Sequence, residues 1–207
     1  MAYPLLVVTA VATEADAVRA GADPRIVVEP VGVGPAAAAA GTARLLATRR
    51  YRAVISAGIA GGFLGRAPVG GTVLGTRSIA ADLGAESPDG FLPVDELGFG
   101  SSIVECDPTL VKALAAALPG AITGDVLTLS TVTGTAETAA RLAARCPAAV
   151  AEAMEGYGVA VAAGVVPFAE LRTISNPIGP RDRAAWRLRE AFDALSTASA
   201  ALWTACG

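Results

Sequence analysis

The sequence predicts an α/β fold: one three-layer α/β/α domain over residues 1–207, built on a twisted, mixed and mostly parallel sheet. Three observations predict it. Short apolar runs rich in Val, Ile and Ala alternate with Ala-rich helical stretches, the order that builds parallel strands covered on both faces. The 207 residues suit one such domain. Apolar residues make up 53% of the chain and aromatics 5%, so the core must be built from small aliphatic side chains.

The elements follow in order. Leu5 to Val11 is a continuous apolar run, short enough for a buried strand, with Glu14 just past its end. Ile26 to Val31 reads as a second strand. It leads into Gly32-Val33-Gly34-Pro35, and Pro35 suits the first turn of an Ala-rich helix reaching about Arg49. Ala53 to Ala57 is a third strand, running into the small-residue segment Gly58-Ile59-Ala60-Gly61-Gly62. Thr72 to Ala80 alternates weakly and reads as a strand. Ser87 to Gly100 is acidic, carries Pro and Gly, and reads as a loop. Leu110 to Leu118 is a short helix and Ile122 to Leu129 a strand. Thr135 then caps a helix ending near Arg145. Ala148 to Ala151 is a short strand, Met154 to Ala163 a helix, Phe168 to Ser175 a strand, and Arg183 to Ala205 a long closing helix.

Composition removes several function classes. The net charge is −3 and the pI about 5.0, so there is no basic footprint for nucleic acid and no polybasic membrane patch. No apolar run is long enough to span a bilayer. The start, Met-Ala-Tyr-Pro, lacks the basic segment of a signal peptide. Cys106, Cys146 and Cys206 are far apart and odd in number, which fits a reducing cytoplasm better than a disulfide framework. There is no histidine, which removes Ser-His-Asp and Cys-His catalysis and His-based zinc sites. A general base must be a carboxylate, Tyr, Cys or Lys112, the only lysine.

Four places carry chemistry. Glu155 is a carboxylate at the start of an Ala/Val-rich helix, costly to bury without partners and able to accept from two sugar hydroxyls at once. Asn176 stands at the C-terminal end of a predicted strand, where open α/β sheets bind ligands. The plainer readings are that Glu155 caps its own helix and Asn176 makes a turn before Pro177. Glu14 stands at the end of the first strand and could line the same crevice, or else cap the following helix. Gly58 to Gly62 leaves room for a ligand against the main chain, or forms an ordinary glycine turn. Gly32-x-Gly34-x-x-Ala37 also matches a dinucleotide fingerprint, and Arg49, Arg50 and Arg52 could serve a phosphorylated NADP ribose.

Five segments in order carry a resemblance. Ala10-Val11-x-x-Glu14, Gly32-Val33-Gly34-Pro35-x-x-Ala37, Ala57-Gly58-Ile59-Ala60-Gly61-Gly62, Met154-Glu155-Gly156 and Ile174-Ser175-Asn176 together resemble the purine nucleoside phosphorylase and nucleosidase family. The resemblance covers nearly the whole chain and implies the nucleoside phosphorylase-like form of the fold. It implies a purine nucleoside substrate, no metal or organic cofactor, and assembly as a homodimer or larger homo-oligomer. Glu14 would deprotonate a water, and Glu155 would hold the ribose hydroxyls. Ile59, Ala60, Gly61, Met154 and Ser175 would line the substrate. Asn176 stands where adenosine-type nucleosidases carry Asp. An amide offers a donor to a 6-oxo group and an acceptor to a proton on N7, so it implies a 6-oxopurine leaving group, assisted by Asn176 or by Asp182. The rivals are a phosphorylase, with Arg19, Arg25, Arg66 and Arg77 as possible phosphate contacts, a non-catalytic nucleoside-binding protein, and an NADP-dependent oxidoreductase.

Overall fold

The computed structural model describes residues 3–206. Its strands are β1 (Leu5–Thr9), β2 (Val27–Pro30), β3 (Ala53–Gly62), β4 (Thr72–Ala80), β5 (Gly84–Ser87), β6 (Gly90–Pro93), β7 (Ile103–Glu105), β8 (Ile122–Thr128), β9 (Ala149–Ala153) and β10 (Phe168–Pro177). Its helices are α1 (Ala12–Gly21), α2 (Pro35–Thr48), α3 (Pro108–Ala117), α4 (Ala136–Arg145), α5 (Gly156–Ala163), α6 (Leu188–Ser199) and α7 (Leu202–Ala205). The main sheet runs β10-β4-β8-β9-β3-β1-β2, with β7 on β4. Parallel pairs join β1 to β2, β1 to β3, β3 to β10, β4 to β8 and β8 to β9, so the sheet is mixed and mostly parallel, as the sequence predicts.

The sheet also curls until it meets itself. β10 pairs with β4 on one side and β3 on the other, closing β3, β10, β4, β8 and β9 into a ring. Closure follows from twist and leaves those strands without a free edge. β3 divides its other side between two partners. Ala53 to Ser56 pair with β1, and Gly61 and Gly62 pair with β9.

Alternation sorts the core into two faces. Leu5, Val7, Ile55 and Leu171 pack with Val18, Leu195 and Leu202 of the terminal helices. Leu6, Val8, Val54 and Phe168 pack with Ala38 and Val159 of α2 and α5. Both faces are buried, which is why β1 reads as an unbroken apolar run. Among the described residues, no helix is long and apolar enough to cross a membrane.

Several boundaries differ from the sequence reading, each for a physical reason. β1 stops at Thr9, not Val11, because the N–H groups of Ala10 and Val11 turn to the Glu14 carboxylate and α1 begins at Ala12. Gly58 to Gly62 is not a turn. It continues β3, held along its length by β10. The stretch read as a loop holds part of a hairpin, β5–β6, turning at Pro88-Asp89 with the Ser87 hydroxyl donating to the Gly90 carbonyl. The closing helix is broken. Asp182 caps a 3₁₀ turn at Arg183–Ala185, the Arg187 N–H donates to the Ser175 carbonyl, and α6 and α7 follow separately.

Candidate active site

The first turn of α1, the start of α2, the middle of β3, the β9–α5 junction and β10 deliver one cluster of charge. Glu14 is 4% exposed and Glu155 6%. Arg172 and Glu170 stand two apart on β10 and are buried outright. The Arg172 guanidinium reaches Glu170 Oε1 at 3.0 Å, Glu155 Oε2 at 3.5 Å and the Ser56 hydroxyl at 2.9 Å. A side chain at Gly58 would not fit: its Cβ would lie 2.5 Å from Glu14 Oε1 and 2.8 Å from Arg172 Nη1. Glu14 and Arg172 therefore flank one point on β3, and only glycine leaves them room.

The hydrogen bonds of Glu14 aim it. Oε2 accepts from the Ala10 and Val11 N–H groups at 2.9 and 3.3 Å, which uses both its lone pairs. Oε1 accepts from the Ile59 N–H at 2.9 Å and keeps one lone pair. Burial raises the Glu14 pKa above its ordinary value of 4.5; Arg172 and the Ile59 N–H work against the rise, and Glu155 adds to it. Burial likewise pushes Glu170 up against the pull of Arg172. Burial opposes the charge of Arg172, but Glu170, Glu155 and Glu14 outweigh it and hold the guanidinium above its ordinary value.

Glu155 does not cap its own helix. Its Oε1 accepts from the Gly34 N–H at 3.2 Å and its Oε2 from the Met154 N–H at 3.3 Å. Gly34 has φ of 87°, and that left-handed geometry helps present its N–H to Glu155 at the start of α2. The glycine fingerprint thus serves a carboxylate of the chain itself. Two of the three arginines proposed for an NADP ribose are committed elsewhere: Arg49 stacks on Tyr51, and Arg52 stacks on Trp203 and donates to its carbonyl.

Asn176 lies beyond a β-bulge. β10 pairs Ile174 with Ala60 and then Asn176 with Gly61, so Ser175 is the extra residue. The Ser175 hydroxyl lies 2.8 Å from Asn176 Oδ1 and 3.2 Å from the Ala60 carbonyl. Asn176 Nδ2 donates to the Pro177 carbonyl at 3.0 Å. A carbonyl only accepts, so that contact fixes which end of the amide is nitrogen. Asn176 shares a cleft with Gly61, Thr133, Glu152, Ile178 and Asp182. Asp182 itself accepts from the Ala184 N–H.

Of the residues singled out in the sequence, the structure brings Glu14 and Glu155 together and sets Ile59 and Gly58 against Glu14. Asn176, Gly61 and Asp182 form the neighbouring cleft. Ile59 gives its N–H to Glu14, and the Ala60 carbonyl faces Ser175, so the main chain is tied internally at both. Sequence reading missed Glu170 and the ion-pairing of Arg172. The signal was there: Glu170-Leu171-Arg172 puts opposite charges two apart in a buried strand, hence on one face, where each needs a partner. The four arginines considered for phosphate are occupied: Arg19 by Asp16 and the Val28 carbonyl, Arg25 by Asp23, Arg66 by the carbonyls of Ala143, Cys146 and Ala149, and Arg77 by Asp125.

A model of the phosphorylase superfamily matches residues 13–206. A futalosine hydrolase of Streptomyces coelicolor is 51% identical over 218 aligned positions, spanning 94% of this chain and 92% of the relative. Another, from Acidothermus cellulolyticus, is 46% identical and spans 99% of this chain and 92% of the relative. Among solved structures, the native futalosine hydrolase of Helicobacter pylori superposes with a TM-score of 0.81 over 100% of this chain and 97% of that one. At 16% identity this is a likeness of fold alone.

Proposed function

We propose that this chain, which belongs to the phosphorylase superfamily, is a nucleosidase that hydrolyses the N-glycosidic bond of futalosine and releases hypoxanthine, a step on a bacterial route to menaquinone. Cleavage at C1′ passes through an oxocarbenium-like state, as glycoside hydrolysis does. Glu155 accepts from the ribose 2′- and 3′-hydroxyls and sets negative charge near the developing cation. Glu14 takes a proton from water through the free lone pair of Oε1 as the water oxygen bonds to C1′. The purine leaves with the electrons of the broken bond, and the proton it gains balances the one Glu14 removes. Asn176 steadies that purine. Ile59, Ala60, Gly61, Met154 and Ser175 line the nucleoside.

The observation that carries hydrolysis is the company of Arg172. It is the arginine of the charge cluster, paired with Glu170 and Glu155 and facing Glu14 across Gly58. A phosphate there would meet Glu14 and Glu155, with Arg172 already paired. Incubation with futalosine, inosine and methylthioadenosine, each with and without phosphate, tests the proposal. Hypoxanthine should appear from futalosine at the same rate in both conditions. A product phosphorylated at C1′, formed only with phosphate, would overturn it.

Base choice follows from the fixed amide. With Nδ2 held by Pro177 and Oδ1 by Ser175, the remaining Nδ2 hydrogen suits O6 and the remaining Oδ1 lone pair suits a protonated N7. An adenine would set its 6-amino group against the amide N–H, and a buried unpaired group costs roughly 1–3 kcal/mol. Futalosine should therefore be cleaved about ten- to a hundredfold better than its 6-amino counterpart. Asn176→Asp should shift the ratio of kcat/KM toward the 6-amino substrate. An acid beside the Pro177 carbonyl holds its proton, and can give it to N7. An unchanged ratio would remove Asn176 from base reading.

The protein is further proposed to act in the cytoplasm as a homodimer or larger assembly. Three free cysteines support the first. The resemblance to the nucleoside phosphorylase and nucleosidase family supports the second. A single-protomer mass in sedimentation at working concentration would refute assembly, and fractionation of the producing cells would test the compartment.

A further inference from the structure

The mechanism leaves one wholly buried carboxylate unused. Glu170 stands on β10 in register with Ser56 of β3. Its Oε1 accepts from Arg172 Nε at 3.0 Å, and its Oε2 has no hydrogen-bond partner. The carboxylate lies against the first residue of α5. A Cβ at Gly156 would lie 2.2 Å from Oε1 and 2.3 Å from Oε2, so glycine there leaves the room that Glu170 occupies. Gly156 follows Glu155 in the chain, which puts Glu170 behind the backbone of Glu155. A helix start also favours negative charge at that place.

Arg172 divides its donors among three directions. Nε serves Glu170 at 3.0 Å, Nη2 the Ser56 hydroxyl at 2.9 Å, and Nη1 reaches Glu155 at 3.5 Å. The tight ion pair is thus with the carboxylate that meets no substrate, and the loose one with Glu155. Arg172 and Glu155 are the charged groups that face Glu170; Ser78 of β4 faces it as a neutral group, and so does Cys106, whose thiol burial keeps protonated. Glu14 is faced by Arg172, by Glu155 and by main-chain N–H groups. Without Glu170, the buried cation would have only Glu14 and Glu155 to offset it, in a site where charges are poorly screened.

We propose that Glu170 is a positioning residue for hydrolysis: it holds and neutralises the Arg172 guanidinium, so that Glu14 keeps its strength as a base and Glu155 stays free for the ribose. The inference rests on the nucleosidase reading and deepens it. Glu170 touches no reacting atom and acts only through Arg172. Burial holds the Glu14 pKa above its ordinary value, and Arg172 works against that rise. An Arg172 deprived of Glu170 works against it harder. A base of lower pKa takes a proton less readily and stays ionised to lower pH.

Glu170→Gln removes the charge and keeps an oxygen for Arg172 Nε. The acid midpoint of kcat/KM for futalosine should move down by about one pH unit. At neutral pH kcat should fall about three- to tenfold, with KM changed less. The deficit should shrink as pH falls through the acid limb, because the variant keeps its base form there. A midpoint at or above the parent's, or a deficit of the same factor at every pH, would make Glu170 a packing residue and overturn the proposal. The double variant Glu170→Gln with Arg172→Met removes both charges of the pair, which a buried site tolerates better than the loss of one. It tests the route through Arg172 even where the single variant does not fold. With the pull of the guanidinium gone, its acid midpoint should lie above the parent's, and a midpoint below the parent's would also overturn the proposal. A parent that cleaves no purine nucleoside refutes the nucleosidase reading itself, before any variant is compared.

Discussion

Arg172→Met is expected to destabilise the fold by about 3–5 kcal/mol, the cost of leaving buried charge without its partner. Methionine fills similar space, so the loss is electrostatic and not a cavity effect. Glu170 suffers most, because Arg172 is its ion-pair partner and its Oε2 already accepts no hydrogen bond. Urea unfolding gives the difference. The dependence on pH identifies its source. Burial raises Glu170 and Glu14 in the parent, and losing Arg172 raises them further. A group whose folded pKa exceeds its unfolded value favours the fold most below the unfolded value, and that advantage is lost as pH rises through the folded one. The gap between variant and parent should therefore narrow on acidification toward the ordinary carboxylate range. A loss under about 1 kcal/mol at neutral pH, typical of an exposed pair, would show that the cluster is not held together by charge.

The second large effect is on turnover. Glu14→Gln should lower kcat by at least about 10²-fold, the usual contribution of a positioned general base. Glutamine is not a silent replacement here. Both oxygens of Glu14 accept main-chain N–H groups, so an amide nitrogen must face a donor. A stability loss of roughly 1–3 kcal/mol should accompany the loss of rate. Near-normal turnover by folded variant would end the assignment. In the parent, the base form is lost as pH falls through the raised pKa. The acid limb of kcat/KM should therefore have its midpoint above 4.5.

Much of this was legible in the chain, and the remainder has identifiable causes. Glu14, Glu155 and Asn176 stood out because polar groups at the ends of apolar runs need an explanation. Most of the strand and helix order followed from periodicity, but the three-residue β7 and the hairpin β5–β6 were too short to show a period. Gly58 to Gly62 misled because glycine is a turn residue in isolation, and only pairing with β10 holds it extended. The broken closing helix was hidden because Arg183 to Ala205 has helical composition, while the break depends on Arg187 bonding to a distant carbonyl at Ser175. Glu152 was invisible as a lining residue of the cleft, because it shares a row with Asn176 only through Gly61, and no spacing along the chain reports that.

The extra residue at Ser175 has a consequence for how selectivity changes. A strand alternates its side chains strictly, and one inserted residue reverses the phase for everything after it. Up to Ile174, β10 supplies the buried charges that pair with Glu155 beside Glu14; past the insertion, it supplies Asn176, the group proposed to meet the base. One strand thus carries two independently adjustable instruments. A mutant library confined to Asn176 and the residues following it should yield altered leaving-group preference with the hydrolytic chemistry intact. A library over Glu170 to Arg172 should yield mainly unfolded chains.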